Sequence, residues 1–320
     1  MNIREHFKTV PGESCLAGNI ANILMYYGFF YAEEDIVILG DGLNIQYRRT
    51  QNGNVLLDAG NPSGLFLRKY GGGLIKRFTK INEESMNFLV QSIRQGNPVV
   101  CFTPYQFVAD YIDDAMDRYF HSVVILDVYP EESAVFISDA CRPGFNKTTY
   151  EGKVPLESLL SRDLLLLCEI DFPSIKRLSR NQIESEVLQK ILSYVNQKSS
   201  SNDYQPHSIE HFAADIPMMY DQFEQNIQSF AIDLVFIMKN YGLLLNKTYI
   251  YTFLTKLFGE LPLIQKYKEL IQQWEIVCKL LTRGGIRKSK SDFVKARDNI
   301  LRLEQDELFQ LRKIMDENIK

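Results

Sequence analysis

A chain of 320 residues has the length of about two ordinary domains. With 45% hydrophobic, 12% aromatic and 24% charged residues it can bury a sizeable core, which excludes a disordered, collagen-like or low-complexity protein. A net charge of −4 argues against a dedicated nucleic-acid binder, and no apolar run approaches the roughly 20 residues that span a bilayer.

The opening, MNIREHFKTVPGES, lacks the apolar segment of a secretory signal. The first clear element is a helix after Pro11-Gly12, with Ser14 as its cap. Leu16, Ile20, Ile23, Leu24 and Tyr27 share one face, and Gly28 suits the stop. Gly71-Gly-Gly73 has no following Lys-Ser/Thr and reads as a turn rather than a phosphate loop. Strand-length apolar runs follow at 98–102, 121–129, 134–139 and 164–171. The second and third are joined by Pro130-Glu-Glu-Ser133, a short hairpin connection. This part is therefore expected to be α+β, with one helix packed on an antiparallel sheet.

Beyond about residue 172 the pattern is almost wholly helical, apart from the polar stretch Asn196–Pro206, which reads as a loop. Charge changes at the same place. Residues 1–171 carry 15 Lys and Arg against 22 Asp and Glu; residues 172–320 carry 21 against 18. The expected division is a catalytic domain over 1–172 and a helical domain over 173–320 that covers its cleft. Five cysteines, an odd number without a CxxC pair, fit a reducing cytoplasm better than a disulfide scaffold.

One constellation carries chemistry. Cys15 opens the first helix, where free N–H groups and the helix dipole favour a thiolate and can hold an oxyanion. His121 opens one hairpin strand and Asp139 ends the next, and an antiparallel pair brings such positions together. Cys15, His121 and Asp139 are thus the candidate nucleophile, base and orienting carboxylate. Each alone also has an ordinary structural reading, as buried thiol, satisfied histidine and turn former. Asp110, Asp113, Asp114 and Asp117 read as a solvated face, or as a surface that greets a cationic amine. His207, Glu210 and His211 lack a third ligand frame, so no metal site is expected and no cofactor is implied.

The stretch PGESCLAGNIANILMYYGFFYAEEDIVILGDGLNIQY resembles the start of the butirosin-biosynthesis protein H (BtrH-like) family. The resemblance lies in Cys15 at a helix start, Leu24-Met-Tyr-Tyr-Gly28, Glu33-Glu34 and Gly40-Asp-Gly42. That family is similar to papain-like cysteine enzymes, whose His and Asp pattern is matched by His121-Ser-Val-Val and Ile137-Ser-Asp139. The resemblance covers about residues 10–170 and implies a papain-like fold. It implies transfer of an acyl group from a carrier-protein thioester, through Cys15, to a small-molecule amine. It gives His121 the part of base and acid and Asp139 that of orienting His121. Thr9 stands where papain-like proteases often place an oxyanion-binding Gln, six residues before the Cys. Thr9, Ser14 and His6 are then the side-chain candidates beside the Cys15 N–H. A cysteine hydrolase with the same triad, and an inactive module that only binds partners, stay open as alternatives.

Residues 279–297 hold seven cations (Lys279, Arg283, Arg287, Lys288, Lys290, Lys295 and Arg297) against Asp292 alone. That stretch reads either as a solvated, Gly-broken loop between two helices or as a surface that steers an acidic carrier protein.

Overall fold

The computed structural model describes residues 3–49, 55–79, 81–104, 120–142, 148–159, 166–200, 209–240 and 242–318. The chain divides into two compact units, Met1–Ile36 with Ser63–Ile183 and Val37–Pro62 with Glu184–Lys320. The division differs from the expected 172/173 boundary in two ways. Residues 173–183 stay with the first unit: Lys176 N–H donates to Tyr70 O and Tyr31 OH to Lys176 O. Residues 37–62 belong with the helices instead, because Tyr47 OH donates to Asp215 Oδ2 (2.6 Å) and the Asn246 amide to Gly42 O. These bonds join positions 168 and 204 residues apart, a distance no local pattern reports.

The first unit is mixed α and β. A short helix α1 (Ile3–His6) precedes α2 (Cys15–Tyr26), and α3 (Glu33–Leu39) ends at the junction of the units. The strand pair β1 (Gln46–Arg49) and β2 (Val55–Asp58) belongs to the second unit, and α4 (Pro62–Lys69) returns the chain to the first. The main sheet then assembles from β3 (Leu74–Phe78), β4 (Val99–Pro104), β5 (Phe120–Tyr129), β6 (Ala134–Arg142), β7 (Thr148–Pro155) and β8 (Leu166–Ile170). Its order is β3-β8-β4-β5-β6-β7, with every neighbouring pair antiparallel.

The four expected strands are present, and β3 and β7 are added as edges. β7, TTYEGKVP, alternates with Tyr150, Gly152 and Val154 turned in and Glu151 and Lys153 out, but its threonines, glycine and proline make the signal weaker than the β-branched runs of the central strands. The expected single helix is corrected too, since α4 and α5 (Glu83–Arg94) also form. Asn82 and Ser85 close a reciprocal capping box at the start of α5.

Alternation in the strands sorts the two faces of the sheet. Cys101, Val123, Ile125, Ile137 and Leu167 cluster with Leu89 of α5, all fully buried. The alternate positions Ser122 and Ala140 meet α2. Two glycines set how close α2 comes. A Cβ on Gly18 would lie 3.1 Å from Ala140 Cβ, and one on Gly12 would lie 3.1 Å from Gly18 Cα. The buried stripe of α2 is also broader than the apolar one read from sequence. It takes in Ala17, Asn19 and Asn22, while Leu16 and Tyr27 are only partly buried.

The second unit is built on α6 (Arg180–Ser200), α7 (Ile209–Gln222), α8 (Ile227–Asn240), α9 (Leu243–Phe258), α10 (Pro262–Arg287) and α11 (Lys290–Asn318). The expected loop at 196–206 is corrected in its first part, since α6 runs on to Ser200; the rest lies outside the described residues. Gly284 and Gly285 lie inside α10, not in a loop. A Cβ on Gly285 would sit 2.6 Å from Ala231 Cβ, and one on Gly284 2.8 Å from the Phe293 ring, so the pair admits α8 and α11. Lys247 is buried between Glu304 and Glu307, with its ammonium 4.7 Å from the Trp274 ring centre. Among the described residues no helix is long and apolar enough to cross a membrane.

Gly18→Leu forces side-chain bulk into the α2–β6 contact. The expected result is a loss of roughly 1–3 kcal/mol in the first unit, read from urea denaturation of the full chain.

Candidate active site

Three chain segments converge at the start of α2. Cys15 is its first residue and is partly exposed, while His121 on β5 and Asp139 on β6 are 1% and 2% exposed. Val124 lies opposite Ser138, which puts His121 and Asp139 on one sheet face, a diagonal step apart. His121 Nε2 meets Asp139 Oδ2 at 2.7 Å. The other carboxylate oxygen accepts the Cys141 N–H at 3.1 Å, so Asp139 is held at both ends. The ring hydrogen-bonds the Cys15 sulfur as well, and with Nε2 on Asp139 the nitrogen left for sulfur is Nδ1.

The charges reinforce one another. Burial alone pushes the Cys15 thiol up. The charge and hydrogen bond of His121, with the N–H and hydroxyl of Ser122, outweigh it and leave the thiol below its ordinary value. Burial likewise disfavours a charged imidazole, but the Cys15 charge and the Asp139 bond raise His121 to about 10. Both shifts describe one arrangement, a thiolate beside an imidazolium. Cys101 and Cys278 go the opposite way. Burial drives Cys101 far up, and burial with the Glu275 charge brings Cys278 to about 12.

Asn19, one turn after Cys15, escaped the sequence reading. It is fully buried; its Nδ2 donates to Ser122 O (2.7 Å) and its Oδ1 accepts the Ala140 N–H (3.0 Å). One amide thereby ties α2 to the residue after His121 and to the residue after Asp139. The available signal was a polar residue at i+4 from Cys15, on the side of a helix that buries Ala17, Ile20 and Ile23. Glu33 is the second such residue. Its carboxylate accepts the N–H groups of Glu13 (2.8 Å) and Ser14 (2.7 Å), fixing the approach to the helix.

The side-chain candidates beside Cys15 fare differently. Ser14 occupies the cap position but makes no side-chain cap bond, so that expectation is corrected; Glu33 holds the preceding backbone instead. The consequence is that no cap hydroxyl covers the first N–H groups of α2. Thr9 is turned to Ser138 Oγ (2.6 Å) and Glu151, on the face of β6 opposite to Asp139. His6 is exposed on α1. Asp110, Asp113, Asp114, Asp117 and His207 lie outside the described residues. Among the described residues no group of three or more His, Cys, Asp or Glu is placed to hold a metal ion.

Iodoacetamide alkylation of Cys15 should begin, as pH rises, below the range of an ordinary thiol. In His121→Ala burial is no longer opposed by the imidazolium. Alkylation at neutral pH should then slow by on the order of 10–100-fold and its onset should move to higher pH. Peptide mapping of the label against pH measures both.

No protein-family model matches the chain, and no curated protein matches it in sequence.

Proposed function

We propose that this chain is a papain-like cysteine acyltransferase of the butirosin-biosynthesis protein H kind. In this reading it moves an acyl, aminoacyl or peptidyl group from a carrier-protein thioester to a small-molecule amine in natural-product biosynthesis. One observation carries the proposal: a partly exposed cysteine at a helix start, held below the ordinary thiol range by His121, which is itself buried and paired with Asp139. A structural cysteine gains nothing from such surroundings, and Cys101 and Cys278 lack them.

The steps follow from the groups present. The Cys15 thiolate attacks the donor carbonyl, and the uncapped N–H groups at the start of α2, that of Cys15 first, face the developing oxyanion. The donor thiolate leaves with the proton that His121 Nδ1 gives up, so an acyl-Cys15 thioester and a neutral imidazole remain. An amine then attacks the thioester while Nδ1 takes its proton, and the Cys15 thiolate leaves. Asp139, bonded at Nε2, keeps the ring oriented and steadies its positive charge in both half-reactions. Water in place of the amine would make the same site a hydrolase.

Incubation with acyl thioesters, followed by intact mass, tests the proposal. The expected product is one added acyl group, absent in Cys15→Ala. His121→Ala should slow its formation roughly 10²–10⁴-fold, and Asp139→Asn by less. The acyl-enzyme should persist in buffer and discharge when an amine is supplied. Equal decay with and without amine would make the protein a hydrolase, and no adduct from any thioester would sink the proposal.

The pH profile of acylation follows from the two shifts. Activity rises as Cys15 loses its proton, below the ordinary thiol range, because only the thiolate attacks. It falls as His121 loses its proton near pH 10, because the leaving thiolate then lacks its acid. The expected curve is a broad bell, measured as single-turnover rate against pH.

A further inference from the structure

A groove of about 450 Å³ runs between α8 and α10 in the helical unit, outside the site described above. The two helices are antiparallel there. Gly285 meets Ala231 at one end, and Lys239 is paired with Glu275 (2.6 Å) at the other. From Glu275 to Arg287 the groove follows about 18 Å of α10, close to three helical turns. Val235, Cys278 and Ile286 give it an apolar floor, and Ile286 is 58% exposed although it is aliphatic. Ile232, one turn before Val235 on α8, is 45% exposed and extends that apolar strip.

The rim is cationic. Lys279, Arg283 and Arg287 succeed one another at i, i+4 and i+8 along α10. Arg283 is held by both oxygens of Asp292, whereas Lys279 and Arg287 have no acidic partner among the described residues. The basic stretch read from the sequence is therefore not uniform. Lys290 is spent on Asp221 and Arg297 on Asp298, and the charges without acidic partners include two on the groove rim. Such a positive strip stands out in a chain of net charge −4.

We infer that this groove docks an acidic amphipathic helix of a partner protein. Apolar residues of that helix at i, i+3 or i+4, and i+7 would meet Val235, Cys278 and Ile286, and its flanking carboxylates would meet Lys279 and Arg287. Charge complementarity selects this occupant. A nucleic acid is disfavoured because the lining offers Glu275 and no aromatic ring on which a base can stack. The inference does not depend on the Cys15 chemistry, and binding alone decides it.

The probes are two fluorescein-labelled 18-residue helical peptides with the same Leu stripe, one flanked by Glu and one by Lys, and a labelled single-stranded oligonucleotide. Anisotropy is measured on the whole 320-residue chain. The Glu-flanked peptide should bind at least about tenfold tighter than the Lys-flanked one and weaken as salt rises. The pair Lys279→Glu with Arg287→Glu, and separately Ile286→Ser, should each weaken it about tenfold. Lys313→Glu, exposed on α11, should leave it unchanged. Because the substituted side chains lie at the surface, an unaltered circular dichroism spectrum is expected for each variant. Equal binding of the two peptides, indifference to the groove substitutions, or tighter binding of the oligonucleotide would each overturn the inference.

Discussion

The buried amide of Asn19 is the joint on which the first unit depends. Its two hydrogen bonds hold α2 against β5 and β6 at once, beside the strand residues that carry His121 and Asp139. Both bonds run to main-chain groups of strands, so a shift of either strand would leave a buried donor or acceptor unmet. An unmet buried group costs roughly 1–3 kcal/mol, which makes the register hard to slip. Gly12 and Gly18 make the close approach possible, and Glu33 fixes the chain before Cys15. Placement of the sulfur is therefore a property of packing, not of a flexible loop.

The charge arrangement follows from that placement. A buried histidine alone would be neutral and a buried thiol alone protonated, since burial disfavours both charged forms. Placed together, each supplies the counter-charge the other needs, and Asp139 adds a second anion behind the ring. His121 and Asp139 are accordingly buried, and Cys15 is the partly exposed member of the three. The proposed acyl transfer would use that combination, because an entering carbonyl would have to reach Cys15 while the groups that stabilise its charge stay buried.

The helical unit handles charge in a second way. Lys247 is enclosed with Glu304 and Glu307, Tyr267 OH donates to Glu307 Oε1 (3.0 Å), and the Trp274 ring lies beside the ammonium. Two carboxylates share one cation there, and burial pushes Glu307 up. Removing a single member would leave an uncompensated charge in the core, so the cluster favours one packing of α9, α10 and α11 over others.

The sequence by itself determined the Cys15 helix, the four central strands and the helical character of the later part. Each rests on a local signal, namely 3.6-residue periodicity, β-branched runs, or a Gly stop. It also picked out Cys15, His121 and Asp139, because strand ends joined by a short connection must return close to one another. Only the tertiary structure decided that Asn19, not the apolar stripe alone, seats α2, and that Glu33 rather than Ser14 steadies its start. It likewise decided that residues 37–62 belong with the helices. A further correction has the same origin: Gly284 and Gly285 lie within a helix, where Phe293 and Ala231 pack against them. In each case the deciding contact joins residues that are separated in the chain, or replaces a local preference by the packing of a neighbouring element. Local patterns record how a segment can fold; the partner it folds against is set by packing and by the need to satisfy every buried polar group.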